Sequence, residues 1–353
     1  MTAPSPLETP FTRQVGIEVP LICGPMYPCS NPELVAAVSE AGGIGVVQPV
    51  SLTYVHGHDY REGLRLIRRL TGKPIGFNAL IEASSKLYLE RMVRWVDVAL
   101  EEGVRFFITS LGKPKWVCEK VHAVGGVVYH DVTDKKWAQK ALEGGVDGLI
   151  AVNNRAGGHA GELSPRQLFD SLAPLGVPLV SAGGVGTAAE FVEQLSIGYA
   201  AVQMGTRFIA TPECKASNAY KRAIVDAEES DITLTERLTG VPVSVINNDY
   251  IRRLGTKAGP IARWMLKGHK TKHWMRTWYG LSSLRRLKAG LNKDSGAGEY
   301  WQAGKSVAGI HEVRPAAEIV RAFAEAARSR VQVQSSTAEP RMNTDDGRIH
   351  ADQ

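Results

Sequence analysis

The chain of 353 residues contains no uninterrupted apolar run of 18 residues, so a membrane-crossing helix is not expected. Cysteine is sparse. Cys23, Cys29, Cys118 and Cys214 are the whole complement, too few for a disulfide scaffold in a chain of this length. No two of them stand as CxxC, which excludes a zinc ribbon or a thioredoxin-type redox pair. The opening MTAPSPLETPFTRQVG lacks a basic start followed by an apolar run, so no secretory signal is expected. Reduced thiols in a cytoplasmic protein are the resulting expectation. Glycine is plentiful, with 36 residues against 18 prolines and no G-X-Y period, which favours a fold with many tight turns.

Acidic residues are missing from one region. Between Arg252 and Lys293 there are twelve Lys and Arg and no Asp or Glu, so with a total of +6 the rest of the chain carries −6. The same segment holds Trp264, Trp274, Trp278 and Tyr279. From about Val331 to Gln353 the chain is polar without periodicity and reads as a disordered tail.

Over the first 210 residues, short β-branched or apolar runs alternate with amphipathic stretches. The runs start near Val19, Ile44, Pro74, Arg105, Gly126, Gly148, Val177 and Tyr199. Helical patterns such as NPELVAAVSEAGG, DKKWAQKALEGG and TAAEFVEQLSIG lie between them. The runs are almost continuously apolar, as parallel strands covered by helices must be. Eight of them at a steady period predict an α/β fold, a (β/α)8 TIM barrel over residues 15–212 completed by 306–329. The rhythm breaks after the eighth run. Residues 213–305 read as a smaller helical lid domain inserted before the closing amphipathic helix PAAEIVRAFAEAARS.

Function in such a barrel belongs to the loops at the C-terminal ends of the strands. Those ends carry Gly24-Pro25-Met26, then Asn78, then His130-Asp131. They continue with Asn153-Asn154-Arg155-Ala156-Gly157-Gly158-His159-Ala160-Gly161, with Ser181-Ala182-Gly183-Gly184-Val185-Gly186, and with Gln203-Met204-Gly205-Thr206. The glycine loops after strands seven and eight suit a phosphate, because backbone N–H groups can approach its oxygens. Gly184-Val185-Gly186-Thr187-Ala188-Ala189 satisfies G-x-G-x-x-A, but the next strand offers no acidic residue to hold a ribose. A single phosphate, as in FMN, fits better than a dinucleotide.

Nine histidines are present. His56-x-His58 with Asp59 has no further ligand spacing to support a metal, so none is expected. His130 stands at a strand end beside Asp131, an arrangement equally suited to an orienting pair and to catalysis. His159 is flanked by Gly157, Gly158 and Gly161, which leave room for its imidazole beside a flat ligand. Its near-neutral intrinsic pKa suits proton transfer, making it the candidate catalytic residue.

GPM at strand one, Asn78, AGGHAG, SAGGVG and QMGTRF together resemble the nitronate monooxygenase family of FMN-dependent TIM barrels, formerly called 2-nitropropane dioxygenases. The stretch TPECKASNAYKRAIVDAEESDITLTERLTGVP resembles the start of that family's lid, and EYWQAGKSVAGI its closing segment, so the resemblance covers about Val15 to Ala327. It implies that Gly24, Pro25 and Met26 run under the isoalloxazine ring, with Asn78 and Asp131 near the flavin. It further implies that Gly157 touches the cofactor and that Gly183, Gly184, Gln203, Met204, Gly205 and Thr206 bind its ribityl phosphate region. His159 would be catalytic. The implied reaction oxidises alkyl nitronates or nitroalkanes with O2 to a carbonyl compound and nitrite, without a reduced nicotinamide. The sequence departs from the family at Ala303-Gly304-Lys305, where A-G-Q is frequent.

NADH:quinone reductases and enoyl-(acyl carrier protein) reductases share the barrel and a G-G-H loop, and the flavin motifs do not separate them. The cations of 252–293 suit an anionic partner: an acyl carrier protein, the phosphates of CoA, or a membrane surface reached by an interfacial helix. A solvated basic face accounts for them equally well. Nucleic acid is not an expected partner, because it leaves the strand-end motifs unexplained.

Overall fold

The computed structural model describes residues 5–82, 85–237, 241–257 and 300–337. The aromatic part of the basic segment and the tail from 338 onward lie outside the described residues, as does most of the run 252–293. Eight parallel strands close a barrel: β1 Leu21–Cys23, β2 Ile44–Val47, β3 Gly76–Ile81, β4 Phe106–Leu111, β5 Val127–Val132, β6 Gly148–Val152, β7 Leu179–Ala182 and β8 Ala201–Met204. Each pairs with its sequence neighbour, and β8 returns to β1 with Ile22 opposite Gln203 and Cys23 opposite Met204. The fold class read from the sequence is therefore the one observed, with every strand within two residues of its expected start.

Local chemistry sets the helix starts. Thr187 and Glu190 form a capping box at Ala188–Ile197, Ser164 and Gln167 another at Pro165–Leu172, and Asp134 caps Lys135–Glu143. Side chains alternate along each strand, so one face looks into the barrel and the other toward the helices. Ile22, Ile44, Val46, Phe106, Ile108, Tyr129, Ile150, Val180 and Ala201 fill the interior. The helix Pro10–Val15 plugs the N-terminal end. Phe11 is fully buried there, edge-on to Phe106 and Tyr129 at 5.4 Å from each, and the Tyr129 hydroxyl donates to Gln14 Oε1 at 2.6 Å.

The insertion after β8 is not wholly helical. It begins with the helix Asn218–Asp226, but Ile232–Thr235 (β9) and Val243–Ile246 (β10) then pair as an antiparallel two-stranded sheet before the short helix Asp249–Leu254. The β-branched runs ITLT and VSVI are only four residues each, too short to stand out as strands in the sequence. The closing helix also corrects an expectation. It spans Ala316–Thr337, taking in the first residues of the stretch read as tail, and it packs on Ala188–Ile197 through Phe191 and Phe323 at 5.4 Å. Among the described residues no helix is long and apolar enough to cross a membrane.

Candidate active site at the barrel mouth

Two residues beyond the interior layer, on the same strand faces, come Gly24, Asn78, Asp131 and Gln203. These form the inner rim of the C-terminal mouth. Asn78 is buried, with 6% of its surface exposed. Asp131 and Gln203 are chemically unfinished: Asp131 Oδ1 and Gln203 Oε1 are buried with no hydrogen-bond partner. Desolvation pushes the Asp131 carboxyl up to about 7, because nothing nearby compensates its charge. The Gln203 side chain lies flat against Gly24, where a Cβ would stand 2.9 Å from Gln203 Cγ.

His130 does not pair with Asp131. Neighbours on a strand point to opposite faces, and His130 turns toward the helix layer with Val128 and Val132. Its Nδ1 lies 2.8 Å from Thr109 Oγ1, and desolvation lowers its pKa to about 4. It is a buried neutral imidazole away from the mouth. Met204 likewise sits in the core with its side chain, and its carbonyl accepts the Gly24 N–H at 2.9 Å.

The loop after β6 is organised by Asn153, which sequence reasoning did not single out. Its Nδ2 donates to Gly183 O at 3.0 Å, its Oδ1 accepts from the Arg155 amide at 2.8 Å, and its carbonyl accepts from Gly161 N at 3.2 Å. One asparagine thus ties the loops after β6 and β7 together. That closeness explains Gly183, which has φ +115° and where a Cβ would lie 2.6 Å from Ala156 Cα. Gly157 meets the closing segment in the same way, its Cβ position lying 2.9 Å from Gly304 N. Thr206 Oγ1 accepts from Gly304 N at 3.0 Å, and the Lys305 amide donates to Arg155 O at 3.0 Å. The loops after β6, β7 and β8 and the segment 303–305 therefore form one packed unit.

The insertion fixes that unit from above. Ser244, on β10, donates its amide to Gly158 O at 2.7 Å, directly beside His159. Glu229, a second residue missed from the sequence, bridges Arg155 at 3.0 Å and Lys305 at 3.3 Å. Lys305, the departure from the family pattern, is thereby held by a charge on the insertion. His159 itself is exposed, and desolvation by the protein around its ring lowers its pKa from the usual imidazole value. A neutral ring at physiological pH can accept a proton.

The loop after β1 joins the site from the other side. Met26 lies against Gly205, where a Cβ would be 3.2 Å from Met26 Sδ, and its amide donates to Ser30 Oγ at 2.9 Å. In the neighbouring His56-x-His58-Asp59 run, His56 Nε2 lies 3.2 Å from Pro28 O, and Asp59 caps the helix Tyr60–Leu70. Among the described residues no group of three or more His, Cys, Asp or Glu is placed to hold a metal ion. All four cysteines are buried free thiols.

Comparison with known proteins places the chain among oxidoreductases. The chain is 27% identical to a "(3aS,4S,5R,7aS)-5-hydroxy-7a-methyl-1-oxo-octahydro-1H-indene-4-carboxyl-CoA dehydrogenase" of Rhodococcus jostii, over 84% of this chain and 82% of that one. It is 27% identical to a probable nitronate monooxygenase of Staphylococcus saprophyticus, over 78% and 92%. The solved structure of FabK from Thermotoga maritima superimposes with a TM-score of 0.75 at 27% identity, covering 94% of this chain and 99% of that one. These relatives are oxidoreductases by name where an activity is named, and so is the enzyme class assigned here. The family model of nitronate monooxygenase matches residues 8–325, which take in the barrel, the insertion and the first part of the closing helix, and the chain belongs to the nitronate monooxygenase family.

Proposed function

We propose that the barrel mouth holds FMN and oxidises alkyl nitronates or nitroalkanes with O2 to a carbonyl compound and nitrite. The observation that carries this reading is the pair of partnerless buried oxygens, Asp131 Oδ1 and Gln203 Oε1, on the inner rim. Buried polar atoms in a finished structure are satisfied, so these two call for a ligand rich in donors. The hydroxyls of a ribityl chain and the ring N–H of a flavin are such donors. Gly24, Pro25, Met26, Asn78 and Asp131 would face the ring, and Gly157, Gly183, Gly184, Gln203, Met204, Gly205 and Thr206 would surround the ribityl phosphate. Bound FMN would supply the electron acceptor that O2 reoxidises.

The residues of this chain then divide the work. His159, whose imidazole pKa is lowered, takes the α-proton of a neutral nitroalkane. With a nitronate, already deprotonated, it holds the nitro group by a hydrogen bond instead. Asn153 and Ser244 keep the His159 loop in place. A cytoplasmic setting suits the four free thiols.

A second reading, oxidoreduction of a CoA thioester, is supported by the relative named as a carboxyl-CoA dehydrogenase and by the acid-free run 252–293. One comparison separates the two. Aerobic addition of an alkyl nitronate should consume O2 without NAD(P)H. Rapid bleaching of the flavin by NADH, with nitronates inert, would overturn the first reading.

A further inference from the structure

The inner rim of the mouth has a member after β2 that no sequence motif marks. Ile44 and Val46 point into the barrel interior, and Gln48 follows two residues later on the same face. It lies just past the end of β2, but as the residue before Pro49 it is held extended, so the alternation runs on for one more position. The register of Val46 opposite Gly76 and Val47 opposite Phe77 sets Gln48 beside Asn78. Like Asn78 it is buried, with 7% of its surface exposed.

On its other side Gln48 adjoins the loop after β1. Its Oε1 accepts the Ser51 amide at 2.5 Å, and Ser51 Oγ donates to Met26 O at 3.3 Å. The connection continues as one widened helical turn, Ser51–Val55, in which the His56 amide donates to Ser51 O at 2.9 Å, five residues back. Such π-type turns are rare and recur at functional sites.

The two ends of the Gln48 carboxamide are used unequally. The Ser51 N–H can only donate, which fixes Oε1 as the end that it meets. Nε2 therefore points the other way, and among the described residues it has no hydrogen-bond partner. Unlike Asp131 Oδ1 and Gln203 Oε1 it is not sealed in, and the face that it shares with Asn78 opens on the mouth.

Asp131 Oδ1 and Gln203 Oε1 accept hydrogen bonds. The pyrimidine edge of a flavin asks for donors as well, because beside its N–H it carries carbonyl oxygens and ring nitrogens that accept. Gln48 Nε2 is such a donor, where the Met26 loop meets Asn78. We propose that Gln48 is a further cofactor-binding residue, its carboxamide N–H groups donating to the acceptor edge of that pyrimidine ring while its oxygen holds the Ser51 amide. This rests on the mouth holding FMN.

The test is titration of the full-length apoprotein with FMN, followed by the visible spectrum and midpoint potential of the loaded protein. Gln48→Met, which lacks the carboxamide, should weaken FMN binding about five- to ten-fold. It should also lower the flavin potential, because a donor on the pyrimidine edge stabilises the electron-rich reduced ring. Gln48→Glu keeps an oxygen for the Ser51 amide; it should lose at least as much affinity and shift the flavin absorption bands. Ser51→Ala removes only the hydroxyl contact to Met26, so its affinity should stay within about two-fold of the wild type with an unshifted spectrum. Wild-type affinity, spectrum and potential in both Gln48 variants would overturn the proposal. So would a Ser51→Ala protein that reproduces their changes in full, which would reduce Gln48 to a brace for the loop. A wild type that binds no FMN would overturn the cofactor reading along with it.

Discussion

Tyr129 and Asp131 stand two residues apart on β5 and face the same interior, yet they end differently. Tyr129, toward the N-terminal end, is packed edge-on by Phe11 and its hydroxyl is satisfied by Gln14. Asp131, toward the mouth, is partly buried, and its buried Oδ1 has no partner. One end of the cylinder is a completed core, and the other leaves buried oxygens at its rim without a partner. Burial alone therefore does not mark a site. Burial without satisfaction, where the strand ends converge, does so better.

The largest effect that sharpens this contrast belongs to His159. His159→Ala should lower turnover of a neutral nitroalkane by roughly 10²–10⁴-fold, while turnover of the preformed nitronate falls far less. Steady-state rates on the two substrates check it. In the wild type, the neutral substrate should also show a rate that falls with decreasing pH only below the usual imidazole value, because the working form is the neutral ring and its pKa is lowered. At the opposite end, Phe11→Ala should cost about 3–5 kcal/mol of stability by leaving a cavity beneath Phe106 and Tyr129. Denaturant unfolding should register that loss while the flavin-binding affinity of the folded protein stays unchanged.

Why the barrel is so legible in the sequence is seen in particular elements. Phe106 to Thr109 of RFFITSL and Leu179 to Ala182 of VPLVSAGG are buried on both faces, so the runs are largely apolar, and the second is followed by a helix with a written start signal, Thr187 with Glu190. The glycine loops and His159 are readable because they are local motifs. Asn153 and Glu229 are not. Their partners, Gly183 for the first and Arg155 and Lys305 for the second, are 30 or more residues distant and adjoin them only in the closed fold. The opposite facing of His130 and Asp131 is a consequence of strand alternation once β5 is known to begin at Val127. The β9–β10 sheet escapes notice because four-residue strands in a charged stretch carry little periodicity.

Smaller effects test the rim itself. Gln203→Ala should weaken FMN binding by about 1 kcal/mol, the usual net contribution of one hydrogen bond, as measured by titrating apoprotein with FMN. Asp131 makes a pH prediction for the apoprotein. Its folded pKa is raised, so its contribution to stability is full near pH 4 and is lost as pH rises through about 7. Asp131→Asn should flatten that part of the melting temperature against pH. The smallest change is expected from Glu229→Gln, whose ion pairs with Arg155 and Lys305 are part-exposed. The cost should be within about 1 kcal/mol and should shrink further in high salt.

The unsatisfied rim is tested most directly by the flavin content of the purified protein. Heat denaturation followed by chromatography of the supernatant should release FMN at close to one molecule per chain. A colourless preparation that remains free of flavin after incubation with excess FMN would contradict the account.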